Sequence, residues 1–205
     1  MRTDHRLMST SNQIYTFLVE LLETEPSIWR QFQVPSTYSF WDLHVAVQDA
    51  MGWLDCHLHS FQFEIEGEVI LIGIPDDEGF SDLAFLPGWE TPLTEYFVAG
   101  RSCLYEYDFG DSWLHEVTLT SIEEPTTNTS YPRCLGGEIA CPPEDCGGVP
   151  GYYHILDVMR DPSHEEYDDL VGWLGRRYLP TVFELDAVIF DDPRKRFVKA
   201  FTSGA

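Results

Sequence analysis

Three imidazoles, His57, His59 and His115, are the side chains of this sequence best suited to acid–base or metal chemistry. Imidazole titrates near neutral pH and is the commonest protein metal ligand. His57 and His59 are two apart in an alternating segment, so they share one strand face with Phe61 and Phe63. His115 lies between Trp113 and Val117 on the apolar parity of another such segment. If the two strands are neighbours, the three rings converge, and Asp108 and Asp111 flank the adjoining turn as orienting groups or further ligands. The competing reading is structural: histidines at a core edge bonded to carbonyls, with Asp108 and Asp111 as turn formers.

A second set is Cys134, Cys141 and Cys146, three of the five cysteines, confined to thirteen residues. Thiolates bind zinc, and closed four-coordinate sites stabilise irregular segments. The spacing lacks the two-residue gap of a zinc finger or ribbon, and a fourth ligand has to come from elsewhere. Thiols in a proline-ordered loop are the alternative.

The third is Cys141-Pro142-Pro143-Glu144-Asp145-Cys146-Gly147-Gly148. Prolines fix φ and glycines permit left-handed turns, so Glu144 and Asp145 sit in a stiff loop. They suit a cation or a basic partner; equally, Asp145 caps a turn or meets an arginine. Gly147-Gly148 lacks the Gly-Lys-Ser/Thr ending of a phosphate loop. There is no nucleophile elbow, zinc-protease helix or dinucleotide fingerprint.

The elements that position these residues follow from periodicity. Gln13 to Leu22 and Ile28 to Val34 alternate and predict a hairpin. Ser39 with Asp42 resembles a capping box, and Phe40, Leu43, Val47 and Met51 repeat at helical spacing up to Gly52. His57 to Ile65 and Val69 to Ile74 predict a second hairpin around Glu66-Gly67-Glu68. An acidic loop follows from Asp76-Asp77-Glu78-Gly79 and runs past Pro87-Gly88, then a short helix over Pro92 to Val98. Cys103 to Asp108 and Trp113 to Ile122 predict two strands joined through Phe109-Gly110. Residues 123–151 show no period. Tyr152 to Arg160 predicts a helix, and Ser163 with Glu166 a second capping box opening another that carries Leu170, Val171, Trp173 and Leu174. Thr181 to Phe190 is ambiguous between strand and helix. Trp29, Trp41, Trp53, Trp113 and Trp173 read as core.

The resulting organisation is a leader over 1–12, expected to be mobile, and one α+β domain over 13–192. That domain divides into a sheet-and-helix core (13–122), a Cys/Pro/Gly-rich loop (123–151) and a C-terminal helical arm (152–192), and a basic tail covers 193–205. An antiparallel or mixed β-sheet packed on a helix is the simplest layered solution, with a β-grasp-like opening.

Charge bounds the partners. In 205 residues, 12 Lys+Arg face 35 Asp+Glu, a net charge of −23 with neutral histidine. Direct nucleic-acid binding needs a basic footprint, and the basic cluster here is Arg194-Lys195-Arg196 with Lys199, read as a solvated tail. An acidic field also repels anionic membranes. The polar N-terminus carries no apolar signal core, so the expected location is cytoplasmic, where crowded cysteines stay thiols or bind metal.

Three long segments carry a resemblance. These are Tyr105-Glu106-Tyr107-Asp108-Phe109-Gly110-Asp111-Ser112-Trp113 with His115; Tyr131-Pro132-Arg133-Cys134 with Gly136-Gly137; and Cys141 to Gly148 with Gly151-Tyr152. Ile28-Trp29-Arg30 and His57-Leu58-His59-Ser60-Phe61 fit the same pattern. Over about residues 13–192 the chain resembles the plasmid pRiA4b ORF-3-like family. The resemblance implies a small α+β protein of bacteria or archaea, in some members encoded on plasmids or transposable elements, and in some labelled a resolvase. It implies no particular reaction. A serine recombinase needs an Arg-rich site and a DNA-binding segment, which 12 basic residues against 35 acidic ones do not offer.

Three functions follow as expectations. The first is a non-catalytic binding or interaction module for a protein or small ligand, with its surface at Asp108, Asp111, His115, Glu144 and Asp145. The alternative is a metal-dependent, hydrolase-like enzyme in which His57, His59, His115, Asp108 and Asp111 hold a metal such as zinc or supply a general base. DNA handling through a partner protein is a third.

Overall fold

The computed structural model describes residues 12–75, 85–175 and 178–202. The expected leader up to residue 11 and the Asp76-Asp77-Glu78-Gly79 stretch lie outside the described residues.

β1 (Ile14–Leu21) and β2 (Ile28–Pro35) form the first antiparallel hairpin, with Ile14 opposite Pro35 and Leu21 opposite Ile28. α1 (Phe40–Met51) follows. Its capping box is complete: Ser39 accepts from the Asp42 amide, Asp42 accepts from the Ser39 amide, and Gly52 ends the helix at φ 94°. β3 (His59–Ile65), β4 (Glu68–Gly73) and β5 (Phe85–Pro87) come next, then the short α2 (Leu93–Tyr96), β6 (Ser102–Tyr107) and β7 (Trp113–Glu123). With β8 (Arg133–Glu138) the strands make one eight-stranded mixed sheet in the order β5-β4-β3-β6-β7-β1-β2-β8, in which the β4–β5 pair is parallel.

Alternation puts one parity of the sheet under α1. Phe17, Val19, Phe32, Phe61, Tyr105, Tyr107, Trp113, Val117 and Leu119 are fully or nearly fully buried on that side, with Phe40, Leu43 and Val47 of α1 against them. Each large apolar side chain removed from water in this way contributes about 1.5–3 kcal/mol. The other parity carries Gln62, Glu64 and Glu116 in solvent. One covered and one solvated face is the ordinary state of an antiparallel sheet.

The second half departs from the sequence reading in five places. The period-less 123–151 segment contains β8, an edge strand paired to β2. α3 (Gly148–Arg160) starts before Tyr152. No second capping box forms: the Ser163 hydroxyl donates to Asp161, and α4 (Tyr167–Leu174) begins after Glu166 without a side-chain cap. Thr181 to Phe190 is neither strand nor full helix and holds one 3₁₀ turn, Leu185–Ala187. Trp173 is 53% exposed rather than core, because α4 buries none of its residues.

The basic run read as a tail is not loose over its described part, Pro193–Thr202. Pro193–Thr202 is a helix, α5, entered through Asp192, whose carboxylate accepts from the Arg194 amide. Proline at the first helical position with a preceding Asp is a favourable start. Phe197 and Phe201, one turn apart, pack edge-on against Trp41 of α1, and Trp89 meets Phe197 edge-on and Phe201 at a tilt. Arg196 donates to Asp49 of α1 at 2.6 Å and to Asp191 at 2.5 Å.

Candidate functional site

Beneath α1 the covered sheet face carries a buried polar layer. His44 of α1 bonds through Nδ1 to the Tyr105 hydroxyl at 2.8 Å and through Nε2 to Asp55 Oδ1 at 2.7 Å. The Gln48 amide donates to the same hydroxyl at 2.9 Å. The His59 ring stacks on His44 with centroids 3.4 Å apart and planes 7° apart. Burial, reinforced by His44, holds His59 well below its ordinary pKa. His115 packs between Tyr105 and Trp53, where burial pushes it down to about 4 against the opposing backbone of Tyr105 and Trp113. Both His59 and His115 are therefore neutral near neutral pH, and both are out of solvent.

At the end of this layer the β6–β7 turn meets the proline-glycine loop. Asp108 sits at φ 57°, and its Oδ1 accepts from the Gly110 amide at 3.0 Å, an Asx turn that closes the hairpin. Asp111 Oδ2 accepts from the Gly147 amide at 3.1 Å. The Tyr107 hydroxyl donates to Glu144 Oε1 at 2.5 Å and accepts from the Cys56 amide at 3.0 Å. Glu144 Oε2 takes the Leu54 amide at 2.8 Å, and the Trp53 indole donates to the Pro142 carbonyl at 3.0 Å. Gly148 at φ 67° lies so close to the turn that a Cβ there would stand 2.5 Å from the Asp111 carbonyl oxygen. Turn, loop and the 53–58 connection are thus clamped into one ledge.

On that ledge His57 faces two carboxylates. Its Nε2 is 2.9 Å from Asp145 Oδ1 and 3.5 Å from Asp108 Oδ2. One ligand atom from each of the three residues falls within 4.8 Å of the other two. The Nε2 atom is sealed from water yet has no aligned hydrogen-bond partner. Asp145 is 70% exposed, also at φ 57°, so the group opens outward. Leu54, Leu58 and Phe109, which are 78%, 54% and 47% exposed, belong to the same segments.

Of the residues the sequence singles out, Asp108, Asp111, Glu144 and Asp145 do come together on the ledge, and His57 joins them. His115 does not: it is fully buried on the covered face, as is His59. The three imidazoles therefore do not meet as one set of ligands; among the described residues the one metal-sized group of three is His57, Asp108 and Asp145. Cys134, Cys141 and Cys146 are free thiols and, among the described residues, do not form a metal-sized group of three. Cys134 donates to the Gln31 carbonyl on β2, and Cys146 faces the Gly148 carbonyl. Burial pushes the Cys141 thiol above its ordinary value and that of Cys146 up to about 12, so both stay protonated near neutral pH.

Sequence reasoning missed His44, Asp55 and Tyr107 as partners, and Arg30 as the brace of the loop. Arg30 is 2% exposed; its guanidinium donates to the carbonyls of Trp29, Ala50, Glu138 and Ile139 and lies 4.1 Å over the Phe183 ring. A histidine inside the apolar stripe of α1, next to Leu43 and one turn after Phe40, was the available signal for His44.

This architecture, a large mixed sheet under one helix with a Pro-Gly loop clamped to a tight Asp turn, defines a known class. Residues 13–187 match the family described as Plasmid pRiA4b ORF-3-like protein, and the chain belongs to that family. Among its relatives is protein y4hQ of Sinorhizobium fredii, 34% identical over 158 residues that make up 77% of this chain and 78% of the relative. The crystal structure of MM3350, a protein of unknown function from Methanosarcina mazei Go1, superimposes with a TM-score of 0.80 at 38% identity. The match covers 87% of this chain and 98% of that one. Among the described residues no helix is long and apolar enough to cross a membrane.

Proposed function

We propose that the protein is a non-catalytic recognition module that binds a protein segment bearing basic and large apolar side chains. The observation that carries this reading is the ledge itself: exposed Leu54, Leu58 and Phe109 beside the outward carboxylate of Asp145, on segments fixed by Tyr107–Glu144 and Asp111–Gly147 contacts. Exposed apolar residues rimmed by charge mark interaction surfaces, and a preordered surface loses less entropy on binding. A net charge of −23 steers a basic segment toward the molecule and phosphate polymers away from it. The biological setting we infer, from the family description and this charge, is a role beside plasmid or transposable elements exercised through a protein partner.

The test is selection of displayed random peptides on the full chain. Enrichment of Lys/Arg next to large apolar residues is expected, with affinity that falls as salt rises and disappears in Leu58→Ser plus Phe109→Ser plus Asp145→Asn. Undiminished binding by that triple variant refutes the surface.

A further inference from the structure

We propose that His57, Asp108 and Asp145 form a binding site for a divalent first-row transition ion, with zinc as the reference ion. This goes beyond the recognition reading and does not require it.

Distances carry the argument. Two ligands about 2.0–2.2 Å from a shared ion, at tetrahedral or octahedral angles, stand roughly 3.0–3.5 Å apart. The Nε2 of His57 lies 2.9 Å from Asp145 Oδ1 and 3.5 Å from Asp108 Oδ2, the separations that such a shared ion imposes. A direct imidazole–carboxylate pair aligns its N–H on an oxygen; here the buried Nε2 has no aligned partner. The ligands are also supported from behind. Asp108 gives its Oδ1 to the Gly110 amide and keeps Oδ2 toward His57. Asp145 is held between Glu144, tied to Tyr107 and Leu54, and Gly147, tied to Asp111. Such outer partners fix ligand orientation in metal sites.

The donor set selects the ion. One imidazole with two carboxylates suits zinc, manganese or iron, whereas magnesium and calcium favour all-oxygen shells. Three protein ligands on an outward-facing ledge leave coordination positions for water or for a donor from a bound partner.

The test is zinc titration of the chelator-treated full chain against a chromophoric competitor, with a parallel cobalt spectrum and no peptide present, so its outcome is independent of the recognition assay. One saturable equivalent is expected, weakened roughly tenfold or more in Asp145→Asn and in His57→Gln. Asp145 is an exposed loop residue, so its variant decides the matter even if the His57 variant folds poorly. The cobalt spectrum should lack a thiolate-to-metal band. No saturable binding, equal binding in wild type and Asp145→Asn, or a thiolate band that places the ion on cysteine would each overturn the proposal.

Discussion

Lowering the pH should unfold this protein partly through His115, and the size of the effect follows from its burial. The ordinary value for the imidazole is 6.5, and in the folded chain it is pushed down to about 4. Between those values the unfolded chain binds the proton and the folded one does not, so stability is full above the unfolded pKa and falls as the pH drops toward the folded one. At about pH 5 the group alone accounts for a loss of roughly 2 kcal/mol relative to neutral pH. The decisive comparison is between wild type and His115→Leu, each unfolded in urea at about pH 7.5 and about pH 5. His59, which burial depresses in the same direction, and the surface carboxylates are common to both proteins and cancel. The wild type should lose about 2 kcal/mol more than the variant on acidification. Losses equal within about 0.5 kcal/mol would refute the claim that His115 is buried in its neutral form.

Arg30→Met leaves the Trp29, Ala50, Glu138 and Ile139 carbonyls without their donor, and urea unfolding should register a cost of about 3 kcal/mol or more; a cost under about 1 kcal/mol contradicts the bracing role. Arg196→Met leaves the buried Asp49 carboxylate facing no cation, for a cost of about 2 kcal/mol, and should expose Lys195 and Lys199 to trypsin; unchanged cleavage would mean α5 is not docked through this pair. Gly148→Ala places a Cβ against the Asp111 carbonyl at a left-handed position, and should cost about 1–3 kcal/mol with faster hydrogen exchange at the Gly147 amide; a neutral outcome contradicts the close approach of turn and loop.

Most strands of 13–122 were legible because apolar residues recur at every second position, and α1 because Ser39, Asp42 and Gly52 mark both its ends; β5 (Phe85–Pro87) falls where the sequence reads as a loop past Pro87-Gly88, because three residues carry no period and the strand is defined by its parallel pairing to β4. β8 was not legible. Its sequence, Arg133-Cys134-Leu135-Gly136-Gly137-Glu138, has neither alternation nor β-branched residues, and Gly137 is there for room: a Cβ on it would stand 2.8 Å from Arg30 Cδ and from the Phe183 ring. Its pairing is written in the shape of β2, not in its own pattern. α5 misled through composition, since Arg194-Lys195-Arg196 reads as solvent-seeking while Phe197 and Phe201 do the packing. The ledge was half legible. Asp108, Asp111, Glu144 and Asp145 are marked by their turn-forming neighbours. The approach of His57 to Asp108 and Asp145 depends on two left-handed aspartates and on the Tyr107–Glu144 contact, which no periodicity encodes.

The most direct test of the recognition ledge is hydrogen exchange of the full chain with and without a selected basic-apolar peptide. The amides of Leu54, Cys56, Gly110 and Gly147, held by Glu144, Tyr107, Asp108 and Asp111, report the ledge from four sides. Slower exchange at these four on peptide addition, with β5 and α5 unchanged, is the predicted result. Protection confined to α5 or to the far sheet edge, with these amides unaffected, would contradict it.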